Sequence, residues 1–282
     1  MTHHSLTRRP RSTTRRATGL ATAVACLLGT AAAVTPAPAG AAPLRSQDAL
    51  AAVRLPRSTA FDGTPRVGAL FAGPGNSLGG DFCTASVVDS PGHDLLLTAA
   101  HCVVTPGSGS ARSDLVFVPG FVSGRAPYGR WTVRKAVVDN RWAAHGDPDY
   151  DVAFLTTAPV GRAGRVQDVV GAERLGFGPQ PARPTAAVVA VGYPWHSGRP
   201  VHCRNRLLPH GGSQLEFDCP GLPMGTSGSP LLTGVDPTGS GPGTAVGVIG
   251  GYQAGGVTEN VSYSPYFGPG IAAVYRSALA QG

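Results

Sequence analysis

Gly225-Thr226-Ser227-Gly228-Ser229-Pro230, running directly into the apolar Leu231-Leu232, is the stretch on which the reading of this chain turns. Glycines on both sides of Ser227 let the backbone fold tightly and leave the hydroxyl exposed, and the N–H groups of Gly225 and Ser227 can converge on one oxygen atom. Sextets rich in Gly, Ser and Thr are also ordinary loops. Hydrolysis of an acyl bond needs more than a hydroxyl: a base beside it, a carboxylate that orients the base, and donors for the developing oxyanion.

Each of those parts has a candidate upstream. In Leu95-Leu96-Leu97-Thr98-Ala99-Ala100-His101-Cys102 an apolar strand ends in small residues just before a histidine, which leaves the His101 ring open to a substrate. Asp151-Val152-Ala153-Phe154-Leu155 places an acid at the mouth of a second apolar strand, where its carboxylate can be buried against an imidazole N–H. A strand-end histidine and a turn aspartate are commonplace singly; the combination is what carries weight. Two neighbouring patterns compete. His145-Gly146-Asp147-Pro148-Asp149-Tyr150-Asp151 alternates carboxylates, but lacks the further acidic ligand and the glycine placement of a calcium loop. Gly75-Asn76-Ser77-Leu78-Gly79 spells the nucleophile elbow of α/β-hydrolases, yet Gly79-Gly80-Asp81 and a β-like run follow it where that elbow requires a helix.

Outward from these motifs the chain reads as all-β. Forty glycines, 26 prolines and 14% charged residues describe a backbone that turns often and builds no long charged helix. Short β-branched and aliphatic runs recur between turn residues, among them 67–71, 83–88, 115–122, 131–138, 152–156, 186–191, 215–219 and 245–249, at the spacing of an antiparallel sandwich or barrel. After Gly268-Pro269-Gly270, the residues Ile271, Val274, Tyr275, Ala278 and Leu279 fall on one helical face and predict a short C-terminal helix. Residues 67–282 read as the domain, and 42–66, mixed in composition with a brief helical pattern near Asp48 to Val53, as a propeptide or N-terminal extension.

Charge and cysteines bound the compartment and the partners. The formal charge is +7, but Arg8, Arg9, Arg11, Arg15 and Arg16 precede any acid, so residues 43–282 carry 18 positive against 16 negative groups, a net +2. No basic stripe is left to displace counterions, which argues against nucleic acid as a partner. The basic start, the apolar run Gly19 to Val34 and the small residues around Ala37-Pro38-Ala39-Gly40-Ala41 predict a signal peptide over 1–41. The run is too short and too rich in Ala and Gly for a spanning helix of roughly 20 strongly apolar residues, so no stable membrane association is expected after cleavage. Arg15-Arg16 hints at twin-arginine export, and the route stays open. Cleavage removes Cys26 and leaves Cys83, Cys102, Cys203 and Cys219. An even count in an exported chain points to two disulfides; of the three pairings, Cys83–Cys102 with Cys203–Cys219 is preferred. A zinc site from His202, Cys203, His210 and Cys219 is the rival, set back by irregular spacing.

The three motifs, in the order His, Asp, Ser and separated by 50 and 76 residues, resemble the chymotrypsin-like serine peptidases over roughly 66–280, nearest to the secreted bacterial branch that includes the glutamyl endopeptidases. The resemblance implies two antiparallel six-stranded β-barrels with a short C-terminal helix. It also implies a secreted endopeptidase in which Ser227 attacks, His101 moves the proton and Asp151 orients the imidazole. Gly225 and Ser227 would form the oxyanion hole, and Cys83-Thr84-Ala85-Ser86-Val87-Val88 matches the family's strand whose cysteine bridges to the one after the histidine. The mechanism needs no cofactor or metal, the expected partners are protein or peptide substrates, and a monomer is expected. The alternative is a catalytically silent binding protein of the same fold. Departures from the animal digestive pattern matter. Thr226 stands where that pattern has an aspartate for a newly cut N-terminus, so Arg66-Val67-Gly68 is read as the start of the first strand and not as an activation site. Gly221, six residues before Ser227, is no acidic pocket base, and Ile249 replaces the histidine that glutamyl enzymes use. A neutral side chain is therefore expected in a pocket lined by Gly221, Leu222, Gly250, Gly251 and Tyr252. His3, His4, His93, His145, His196, His202 and His210 are read as exposed loop or leader residues.

Overall fold

The computed structural model describes residues 55–73, 78–236 and 241–281; the leader, the 48–53 pattern and Ser77 lie outside them. A two-residue strand, β1 (Thr59–Ala60), comes first. Six strands follow: β2 (Val67–Ala72), β3 (Asp81–Val87), β4 (Leu95–Thr98), β5 (Leu115–Pro119), β6 (Trp131–Val138) and β7 (Ala153–Pro159). They close into a barrel in the order β2-β3-β4-β7-β6-β5, every pairing antiparallel, and closure leaves no unpaired edge. Leu70, Ala85, Leu96, Phe117, Trp131 and Leu155 fill the interior. Val67, Ala69, Phe71, Val116 and Val118 sit in a second cluster with Val189, Val191 and Tyr193 of the following half. Both faces of β2 and β5 are thus buried, which is why they read as unbroken apolar runs with no alternation.

The second half contributes β8 (Arg174–Leu175), β9 (Ala187–Gly192), β10 (Val201–Arg206), β11 (Leu208–His210), β12 (Gln214–Asp218), β13 (Pro230–Thr233), β14 (Thr244–Val248) and β15 (Val261–Pro265). Hydrogen bonding divides them, with β1, into a six-stranded sheet β1-β10-β9-β13-β14-β8 and a three-stranded sheet β11-β12-β15. Val188, Ala190, Leu215, Phe217, Leu231 and Ile249 from both sheets share one core. Here β8 pairs parallel with β14, and the other pairings of this half are antiparallel. Cys203 on β10 is disulfide-bonded to Cys219 just past β12, joining the two sheets, and Cys83 is bonded to Cys102. With their sulfurs joined, Cys203 and Cys219 are not available as the thiolate ligands of the zinc alternative.

Among the described residues the α-helices are α1 (Asn140–His145), α2 (Val166–Val170) and α3 (Pro269–Leu279). The last was expected, and buries Ile271, Val274 and Ala278 against Leu95, Phe154 and Val248 at the junction of the two halves. The first two are too short to show periodicity; α1 exists through its caps, Asp139 accepting from the Arg141 N–H and Gly146 taking φ 69°.

Residues 55–66 belong to the folded body. Thr59 and Ala60 pair with His202 and Val201, and the Ser58 N–H donates to Pro220 O at 2.9 Å.

Candidate active site

Strand register brings the first two candidates together. In the β4–β7 ladder Thr98 faces Ala153, so the chain leaving β4 and the chain entering β7 emerge at the same end of the barrel. Three residues past Thr98 is His101, on a 3₁₀ turn over Ala100–Cys102; two before Ala153 is Asp151. The fully buried Asp151 accepts three hydrogen bonds. Its Oδ2 lies 2.7 Å from His101 Nδ1 and 2.8 Å from the Gly251 N–H, and its Oδ1 lies 2.7 Å from the His101 backbone N–H. A buried carboxylate with three donors is satisfied in place, and it holds both the ring and the backbone of His101. In the neutral ring, a proton on Nδ1 facing the carboxylate leaves Nε2 as the basic nitrogen.

Ser227 arrives from the second half on a loop pressed against β3. Thr84 N–H donates to Ser227 O at 2.8 Å, and the Gly228 N–H donates to Ile249 O at 2.7 Å. Gly228 has φ 82°, and a Cβ there would fall 2.2 Å from Thr84 O, so only glycine allows this approach. Thr84 Oγ1, fully buried, accepts from the Tyr193 N–H at 2.9 Å and donates to Gly225 O at 3.0 Å. One side chain of the first barrel thereby ties the serine loop to the end of β9. Burial pushes the Tyr193 hydroxyl well above its ordinary value.

Peptide geometry orients the backbone donors. Met224 O accepts from the Trp195 N–H at 2.8 Å. Because C=O and N–H point oppositely across a trans peptide, the Gly225 N–H is aimed away from Trp195. Among the described residues the N–H groups of Gly225 and Ser227 have no protein acceptor, whereas those of Thr226, Gly228 and Ser229 are engaged.

His101, Gly225 and Ser227 line one cleft of about 570 Å³. Leu222 is on its wall. Four other residues placed there from sequence are not. Gly221 is covered by Ser58, whose hydroxyl donates to Gly221 O at 2.5 Å. Gly250 and Gly251 back onto Asp151. Tyr252 stacks away, its ring 5.1 Å from Tyr263 and 5.3 Å from His210. The wall is made instead by residues 253–259, where Gln253 and Ala254 both hold left-handed φ values near 53–54°. Two successive non-glycine residues in that region cost about 1–2 kcal/mol each, a strain concentrated at the cleft. Met224, Val257 and Trp195 expose apolar surface to it, while Arg112 and Glu259 add charge. Nothing in the sequence flagged these, nor Thr84, because their partners are over a hundred residues away or in loops without pattern.

The alternating carboxylates separate. Asp147 accepts from the Asp149 N–H, Asp149 from Gln214 Nε2, and Asp151 from His101. His202 and His210 are on strands, partly buried, and not in loops.

The trypsin-like peptidase domain family matches residues 83–238, more than half of the chain. The chain belongs to this family. Solved structures agree. The trypsin-like peptidase is similar to the protease Anisep from Arthrobacter nicotinovorans, at 26% identity and TM-score 0.65 over 79% of this chain and 99% of that one. It is similar to the thermostable serine protease AL20 from an extremophilic microorganism, at 29% identity and TM-score 0.64 over 78% and 99%. A Glu endopeptidase in complex with MPD shares the fold, at 18% identity and TM-score 0.58 over 80% and 97%. No curated protein matches.

Proposed function

We propose that this trypsin-like peptidase is a secreted serine endopeptidase that cleaves peptide bonds through an acyl-enzyme. Ser227 Oγ attacks the scissile carbonyl, His101 Nε2 takes its proton and returns it to the leaving amine, and Asp151 stabilises the imidazolium. The N–H groups of Gly225 and Ser227 receive the oxyanion. The observation that carries this reading is the buried Asp151–His101 couple opening on the same cleft as Ser227, next to two uncommitted backbone donors. The apolar wall of Leu222, Pro223, Ile249 and Val257 favours a neutral substrate side chain. The two disulfides and the leader-like start support export. The domain read from residue 67 gains residues 55–66 as its first strand and brace, so processing would leave these in place.

Digestion of a diverse peptide library beside Ser227→Ala, with cleavage sites identified by mass spectrometry, tests the reading. Cleavage is expected to fall by roughly 10⁴-fold or more in the variant. Equal cleavage by both proteins, or none by folded wild type, would overturn it.

A further inference from the structure

Arg112 is a charged group on the cleft wall that the mechanism does not use. It follows Ala111, which bridges to Val104, and its own N–H donates to Val103 O at 2.7 Å, so the loop after the Cys83–Cys102 disulfide is pinned at both ends. The guanidinium lies over the Phe82 ring, 4.7 Å from its centroid. That contact holds the cation against the ring in a residue that is otherwise exposed, and a cation held in this way is pre-organised for a carboxylate. Arg112 is exposed and has no ion-pair partner among the described residues. The acid that shares the cleft, Glu259, comes from the opposite, second-half wall.

We propose that Arg112 on its Phe82 platform is a subsite for an acidic side chain one or two residues downstream of the scissile bond. The proposal rests on the peptidase reading above. The leaving amine takes its proton from His101, so the downstream part of a substrate lies on the first-barrel flank of the cleft. Phe82, the Cys83–Cys102 bridge and Arg112 are what that flank presents. A carboxylate there meets a fixed, unpaired cation, and a lysine meets like charge over an aromatic face already occupied. The selectivity is of the size of an exposed ion pair and is screened by salt.

The experiment uses quenched-fluorescence peptides with one upstream sequence, differing only in Glu, Gln or Lys at the first or the second downstream residue. Wild type, Ser227→Ala, Arg112→Ala and Arg112→Glu are compared at low and high salt. At one of the two positions kcat/KM for Glu should exceed that for Lys by about three- to tenfold at low salt. The ratio should approach one in Arg112→Ala, invert in Arg112→Glu, and shrink at high salt in the wild type. Because the ratio is read within each protein, a uniform loss of activity cannot imitate the result, and the salt series needs no variant. Ser227-dependent cleavage with no charge preference, or a preference unchanged in Arg112→Glu, overturns the subsite alone. Absence of Ser227-dependent cleavage overturns the peptidase reading and the subsite with it.

Discussion

Thr84 shows how much one residue can carry without advertising it. Its hydroxyl satisfies both the Tyr193 N–H and the Gly225 carbonyl, and its backbone holds Ser227 O. Thr84→Val keeps the shape and deletes the oxygen, leaving two buried polar groups unpaired, at a cost of about 1–3 kcal/mol each. The Gly225 peptide would lose its anchor, so we expect kcat to fall severalfold with little change in KM, and Thr84→Ser to restore it. Steady-state kinetics on the three proteins checks this; a Val variant with wild-type kcat would remove Thr84 from the positioning role. At this scale the sequence was uneven. Ser227, His101 and Asp151 stood out as candidates because small or apolar flanking residues mark each of them locally. Thr84 was not, since its partners stand 109 and 141 residues further along.

Element by element, the strands were readable wherever both faces are buried. β1 was not: two residues make no pattern, and it exists only because β10 offers an edge. His202 on β10 secures it, with Nε2 at 2.9 Å from Thr59 Oγ1 and the ring centroid 4.8 Å from that of Phe61. Burial holds His202 below the usual histidine range, against a weaker opposite pull from Asp236, and its buried Nδ1 has no hydrogen-bond partner. The folded state therefore prefers the neutral ring. Its contribution is present above the unfolded value of about 6.5 and is lost as pH falls through the lowered folded value. Amide exchange at residues 59–61, corrected for its intrinsic pH dependence, should accelerate on acidification from about pH 7.5 to about pH 5. His202→Phe, which keeps a ring but cannot titrate, should flatten that response. Parallel profiles in both proteins would show that another group controls the segment.

For the whole molecule, the junction between the halves depends on a buried charge. Glu173, fully buried, accepts from Arg66 Nε at 3.1 Å and from the Gly243 N–H, tying the approach to β2 to the approach to β14. Burial outweighs these bonds and raises the carboxyl above its ordinary value. Arg66→Ala leaves that acid without its guanidinium, and we expect a loss of about 3–5 kcal/mol, read as a Tm lower by roughly 10 °C. Adding Glu173→Gln to Arg66→Ala should recover part of it, and a double variant no more stable than the single one would refute the account. The same pair explains why Arg66-Val67 is poorly placed as a cleavage site. The arginine is committed to Glu173, and Val67 is buried as the first residue of β2.

By itself the sequence determined the all-β class, the strands of the first barrel, the C-terminal helix and three candidate residues for the chemistry. Those depend on local signals: β-branched runs, turn residues, and small or apolar residues beside His101, Asp151 and Ser227. What only the tertiary structure decided is which groups meet. Leu222 reached the cleft while Gly221, Gly250, Gly251 and Tyr252 turned elsewhere, and Arg112, Thr84, Glu259 and residues 55–66 acquired places that no local pattern announces. The reason is physical: propensity and periodicity act over a few residues, whereas a cleft wall or a buried hydrogen bond is set by the packing of segments a hundred residues apart.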